Sequence, residues 1–130
     1  MIIDTSVLMA IILKEPEELE YTERINSEPG PRRMSCASYL EAGIVVDRDM
    51  NPVLSKRLDR LIEALGIDLE PVTPSQVRIA RQAYATFGKG TGHKAQLNFG
   101  DCFAYALAEE KREPILFKGN DFNHTDLRLV

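Results

Sequence analysis

Met1-Ile2-Ile3-Asp4-Thr5-Ser6-Val7-Leu8 opens the chain, and its reading decides the fold. Met1 to Asp4 reads as a short buried strand, with an acid standing where burial would favour another Val or Ile. The spacing then changes at once. Val7, Leu8, Ile11 and Ile12 recur at i, i+1, i+4 and i+5, which is a helical period. Short apolar runs and longer amphipathic ones go on alternating to the end of the chain, the pattern of an α/β fold.

Outward from this start, Pro16 ends or breaks the first helix. A second helix is expected over Glu17 to Asn26, with Leu19, Thr22 and Ile25 facing inward, and Pro29-Gly30-Pro31 is a turn. Met34 to Ala37 reads as the next strand, and Ser38 is a good N-cap for a helix through Val46. Val53 to Leu65 carries the clearest stripe, with Leu54, Leu58, Leu61, Ile62 and Leu65 on one face and Gly66 as a stop. Ile67 to Val72 alternates as a strand. Thr73-Pro74-Ser75-Gln76 then starts a helix with a capping box and Pro at its first position, and Val77, Ala80, Tyr84 and Phe87 mark its inward face. A Gly-rich basic loop follows at 88–94, then a helix over Cys102 to Lys111, a strand at Ile115 to Phe117 and a last edge strand at Leu127 to Val130. Five short strands separated by helices imply a mostly parallel sheet covered on both faces, in a single domain over residues 1–130. Ligands of such sheets bind outside the carboxyl ends of the strands, where strand order reverses.

With 16 basic and 20 acidic residues the net charge is −4, which argues against binding nucleic acid through overall charge. It leaves room for a nuclease, whose acidic centre holds metal ions while local basic loops hold phosphates. The longest apolar run, Val7 to Leu13, falls far short of the ~20 residues of a membrane span. The N-terminus lacks a basic region and a cleavage site, so a cytoplasmic location is expected. Cys36 and Cys102 sit in apolar sequence without CxxC spacing and read as reduced, buried thiols.

Four acids stand just past apolar strands or in the first turns of helices: Asp4, Glu41, Asp101 and Asp121. In a parallel sheet these positions converge at one edge. Carboxylates sharing a cleft repel one another unless a cation sits between them. Hard oxygen donors suit Mg²⁺ or Mn²⁺, and such a site activates water for attack on a phosphodiester. The plainer alternative stays open on position alone: an Asp near a helix start is commonly a cap, and Glu41 alone is an ordinary solvated helix residue.

Four blocks in order, MIIDTSVLMAIILKEPE, SCASYLEAGIVVD, LNFGDCFAYALA and LFKGNDF, resemble the signature blocks of PIN-domain ribonucleases, in particular the VapC toxins of bacterial toxin–antitoxin pairs. The resemblance runs over essentially the whole chain. It implies a small α/β/α fold and Mg²⁺- or Mn²⁺-dependent endoribonuclease activity on tRNA or ribosomal RNA. It also implies a cognate VapB-type antitoxin and a homodimer. Asp4 and Asp101 match the main metal ligands, Glu41 the second acid and Asp121 the fourth. Thr5, Ser6 and Asn98 match polar residues that orient the carboxylates or the phosphate. Residues 50–95 carry no catalytic motif of the family.

Gly88-Lys89-Gly90-Thr91-Gly92 follows a helix rather than a strand and lacks the Walker spacing, so it reads as a flexible loop and not a nucleotide site. Lys89, His93 and Lys94 remain candidates for RNA-phosphate contacts. His93 and His124 lie in polar turn sequence and read as surface residues. The acid-rich segment 14–28 reads as a solvated helix whose inner face could help form a partner groove. Two rival functions are a catalytically silent PIN-like module that docks a partner protein or RNA, and a nuclease directed at DNA.

Overall fold

The computed structural model describes all of residues 1–130. Four strands, β1 (Ile2–Ile3), β2 (Arg32–Ser35), β3 (Ile67–Glu70) and β4 (Ile115–Leu116), pair in parallel in the order β3-β2-β1-β4. Six helices, α1 (Thr5–Ile12), α2 (Glu18–Ser27), α3 (Cys36–Asp47), α4 (Pro52–Ala64), α5 (Pro74–Phe87) and α6 (Phe99–Lys111), cover the sheet. No helix is long and apolar enough to cross a membrane.

Successive side chains of a strand point to opposite faces, and β1 uses this with two residues. Ile3 enters a core built with α1, α2, α3 and α4, while Ile2 enters a second core built with α5 and α6. Both side chains are fully buried. The sheet is therefore a three-layer sandwich with helices on both faces.

The expected fifth strand at Leu127 to Val130 shrinks to one parallel bridge between Ile115 and Leu129, held by backbone bonds from Ile115 N–H to Arg128 O and from Val130 N–H to Ile115 O, each 3.0 Å. The reason is that β4 is two residues long and offers no longer ladder. The cap of α3 also moves. Ser35 accepts from Ala37 N–H and starts the helix, so Ser38 lies inside it, buried. Cys36 is the first residue of that helix and is exposed, contrary to the buried thiol expected, whereas Cys102 is buried.

Two helices present a different face from the one their apolar spacing indicates. In α2 the inward pair is Tyr21 and Ile25, and Leu19 points to solvent. In α5 the buried set is Gln76, Ala80 and Ala83, while Val77 and Tyr84 are exposed. Small alanines face the alanine-rich α6, with Ala104, Ala106 and Ala108, and this lets the two helices approach closely. Thr73 caps α5 by accepting from Gln76 N–H at 3.2 Å, but the Gln76 side chain donates to Glu110 instead of returning to the cap.

Because Ile2 and Ile3 anchor separate cores, Ile2→Ala and Ile3→Ala should each destabilise the fold by about 2–5 kcal/mol. Urea denaturation of the two variants checks this. A loss below ~1 kcal/mol in either would mean that β1 does not anchor that layer.

Candidate active site

The sheet order places the carboxyl ends of β1 and β4 side by side, at the point where strand order reverses. Asp4 follows β1 directly, and Asp121 lies in the turn after β4. Glu41 is carried by α3, which begins where β2 ends, and Asp101 stands in the first turn of α6, which packs against β1, β2 and α3.

Asp4 is the N-cap of α1. Its Oδ2 accepts from Ser6 N–H at 3.0 Å and from the Ser6 hydroxyl at 2.6 Å. The Ser6 oxygen in turn accepts from Lys118 N–H at 2.9 Å, so a hydrogen-bonded path runs from the backbone beyond β4 to this carboxylate. Asp101 belongs to a capping box: its Oδ2 accepts from Asn98 N–H at 2.8 Å, and Asn98 Oδ1 accepts from Asp101 N–H at 2.9 Å. The caps that sequence position alone allowed are thus real for Asp4 and Asp101. Each cap occupies only one carboxylate oxygen, and the other accepts no hydrogen bond from the protein. Asp121 caps no helix and is exposed.

Ser6 and Asn98 touch the two buried carboxylates. Thr5 touches none: its hydroxyl donates to Ser38 O at 3.0 Å and ties the start of α1 to the helix that bears Glu41.

Gly100 is a contributor that no sequence signal announces. A Cβ at this position would collide with the Glu41 carboxylate, so the absent side chain is what admits Glu41 to the first turn of α6. Glycine inside a helix is disfavoured by about 1 kcal/mol relative to Ala, and here the vacated volume is occupied by an acid 59 positions earlier in the chain, a pairing that local patterning does not encode.

Burial pushes the Asp4 carboxyl above its ordinary range; the two Ser6 hydrogen bonds oppose this, and the charges of Glu41 and Asp121 add to it. Asp101 is pushed up to about 7, first by burial and then by the charges of Asp4, Asp121 and Glu41, against the Asn98 N–H. Asp4 and Asp101 therefore each lie within electrostatic reach of Glu41 and Asp121.

The donors are carboxylate oxygens throughout, hard ligands that suit a hard divalent cation. They do not form a closed cage: no three His, Cys, Asp or Glu side chains converge tightly enough to hold an ion by themselves. An open arrangement fits Mg²⁺, which keeps several waters and takes one or two carboxylates from the protein. Asp4 and Asp101, each with a free oxygen, fit that part.

The other candidates are placed differently. Lys89 and Lys94 are exposed on the loop after α5, away from any carboxylate partner. His93 is half-buried rather than a free surface group. Its ring packs edge-on against Phe87 with centroids 5.0 Å apart, and its Nδ1 accepts from Ala95 N–H at 3.1 Å, which leaves the proton on Nε2. His124 is exposed. Lys118 pairs with Glu15 and Glu17 and so holds the turn after β4 to the α1–α2 junction.

A family model described as the PIN domain matches residues 1–127. Ribonuclease VapC28 of Mycobacterium tuberculosis is 52% identical over 98% of this chain and 96% of its own length. The chain belongs to the PIN-domain family, among the VapC ribonucleases. Ribonuclease VapC30 of the same organism is 42% identical, with 100% of this chain and 98% of the relative covered. The crystal structure of M. tuberculosis VapC20, described as a sarcin–ricin loop cleaving toxin, superposes with a TM-score of 0.80 at 15% identity over 99% of this chain and 97% of the other. A toxin–antitoxin complex from Klebsiella pneumoniae gives 0.74 at 12% identity over 99% and 95%. At such identities the superpositions establish the shared fold, an α/β sandwich on a parallel sheet.

Two measurements probe this geometry. Gly100→Ala should leave stability within about 1 kcal/mol, because a flexible Glu41 swings away and Ala favours a helix. Any cleavage that depends on Glu41 should nevertheless fall by about 10-fold or more, as when groups supporting a metal site are lost. Full activity in a folded variant would show that Glu41 is not needed at that spot. In chelator, the folded protein binds a proton at Asp101 up to about pH 7, while the unfolded chain releases it near 4. The metal-free fold should therefore lose stability as pH rises from about 4 to 7. Asp101→Asn, which keeps the cap, should flatten that part of the thermal-melt profile. An unchanged slope would mean that Asp101 is not held protonated.

Proposed function

We propose that the chain is a metal-dependent endoribonuclease, the toxin of a toxin–antitoxin pair, acting as one nuclease unit over residues 1–130. Support comes above all from two buried acids with raised pKa values, Asp4 and Asp101, beside the β1–β4 switch point, each under the charges of Glu41 and Asp121. An acid pair of this kind is costly without a cation and favourable with one. The curated relatives, matched over nearly their whole length, are named ribonucleases.

In this reading Asp4 and Asp101 hold Mg²⁺, with Mn²⁺ as a substitute. When bound, the ion neutralises charge on the phosphodiester and makes water acidic enough to be a nucleophile near neutral pH. The protein's own groups do the rest. Glu41, brought in over Gly100, orients the attacking water and accepts its proton. Ser6 and Asn98 keep the two buried carboxylates fixed, Thr5 keeps α3 in place, and Asp121 on the rim supports a second ion. Attack is in line with the leaving oxygen. Lys89, Lys94 and the Nε2–H of His93 contact RNA phosphates, which position the strand without reading its sequence.

The substrate is a structured RNA, tRNA or ribosomal RNA, in the cytoplasm. The protein works as a homodimer and is restrained by a cognate VapB-type antitoxin, whose basic side chains approach the acid cluster.

Asp4→Asn preserves the cap, since Asn accepts the same Ser6 bonds. RNA cleavage with Mn²⁺ should drop by more than about 100-fold, beyond the loss typical of outer-shell changes. The melting temperature in chelator should rise, because one repelling charge is gone. Addition of Mn²⁺ should stabilise the wild type, by ~2.7 kcal/mol at a hundredfold excess over Kd, and the variant far less. Equal metal-induced shifts in the two proteins, or retained cleavage in the folded variant, would refute the assignment.

A further inference from the structure

A groove of about 810 Å³ lies between α5 and the start of α6, and neither the acid cluster nor its supports account for it. Its rim is Phe99, which is 78% exposed and sits within one helical turn of Asp101. The Phe99 ring stands edge-on to Phe103, with centroids 5.0 Å apart and planes at 87°, so one aromatic braces the other and leaves a face open. Tyr84 forms the opposite wall. Its hydroxyl donates to Lys89 O at 2.6 Å, and its ring lies against Gly88, where a Cβ would overlap both the ring and the Tyr84 carbonyl. The loop glycine is thus what seats this ring. The only charged residues lining the groove are cations, Arg81 and Lys89, in a chain whose net charge is −4, and neither has a carboxylate partner. Asn98 lines the groove while its side chain caps the helix of Asp101, so groove and acid cluster share a wall.

Open aromatic faces with unpaired cations beside them are the chemistry that single-stranded nucleic acid requires: bases stack and phosphates pair. We propose that this groove takes an unstacked base of single-stranded RNA next to the scissile phosphate, with Phe99 as the stacking platform and Arg81 on the adjoining phosphate; this rests on the RNA-cleaving reading above. A duplex cannot use the groove, because its bases are stacked inside the helix. The groove therefore selects for loops and unpaired segments over paired ones, and it makes Phe99 and Tyr84 specificity residues rather than catalytic ones.

The test is fluorescence anisotropy in chelator, where nothing is cut. The probes are a labelled single-stranded RNA of about a dozen nucleotides and the duplex of the same sequence, with wild type, Phe99→Ala, Phe99→Trp and Arg81→Ala. Phe99→Ala should weaken single-strand binding by about 5- to 100-fold with an unchanged salt slope, because stacking and not charge is lost. Phe99→Trp should retain affinity, and duplex binding should respond to neither. Arg81→Ala should instead lower the salt slope by ~0.7. Unchanged single-strand affinity in Phe99→Ala would overturn the proposal, as would equal losses for single strand and duplex. A smaller sedimentation coefficient for Phe99→Ala would also overturn it, by assigning the groove to a second copy of the chain. If the wild type cleaves the same RNA with Mn²⁺ while Phe99→Ala binds normally, only the groove assignment falls. Failure of the wild type to bind or cleave the RNA at all would overturn the RNA-cleaving reading as well.

Discussion

Two carboxylates held out of water at the starts of two helices are the constraint around which this molecule is organised. Asp4 and Asp101 are each 8% exposed, and the charge of Asp4 helps to raise the Asp101 carboxyl. Asp4 caps α1, and Asp101 closes the capping box of α6 whose N-cap is Asn98; the N-terminal N–H groups and positive dipole ends of these helices partly offset the cost of burial. Capping and ligation are usually competing explanations for an Asp at a helix start. Here they are compatible, because the cap consumes one oxygen of each carboxylate and leaves the other free. The same hydrogen bonds that stabilise the helix ends also fix the angle at which the free oxygens enter the cleft.

Much of the surrounding structure follows from holding that pair in register. The two-residue strand β1 has its two side chains in different cores, so Asp4 is anchored from both faces of the sheet. The turn beyond β4 is tied back through Lys118 N–H and Ser6, and Lys118 Nζ ties it to the acids near α2. The Thr5 hydroxyl ties α1 to α3. Gly100 sets how closely α3 can bring Glu41 to α6. These contacts are mostly buried or half-buried, in a low local dielectric where positions of charge matter most.

The groove beside α6 shows the opposite use of side chains. At the acid cluster polar groups are buried and held; at the groove large apolar rings, Phe99 and Tyr84, are left in water at a cost to solvation. Exposed aromatics next to unpaired cations and next to the acids suit a strand that carries both bases and phosphates. Negative charge collects at the acid cluster and unpaired positive charge, Arg81 and Lys89, at the groove, so a chain of net charge −4 still presents a local cationic surface.

The α/β class, the helix–strand order and the four acids were legible in the sequence, because each is written in local terms: apolar spacing, Pro and Gly punctuation, and an acid at the end of an apolar run. Ser6 and Asn98 entered only through the family resemblance, together with Thr5; the bonds of Ser6 and Asn98 to Asp4 and Asp101 span two or three residues, whereas the Thr5 bond reaches Ser38. What lay beyond reach was set by partners distant in the chain. Leu19 and Ile25 share an apolar spacing, yet only Ile25 is inward, because the orientation of α2 is chosen by the core it meets. Val77 and Tyr84 read as core and lie at a groove, because Ala80 and Ala83 fit closer to the alanines of α6. Cys36 is exposed because the cap falls at Ser35, and the last strand is cut to one bridge because β4 is only two residues long. Which acids the sequence supplied was a matter of residue type and local position. That they share one cleft, with Asp101 carrying a pKa near 7 and Glu41 passing over Gly100, was decided only by tertiary packing, because charge coupling and steric clearance depend on distance through space and not along the chain.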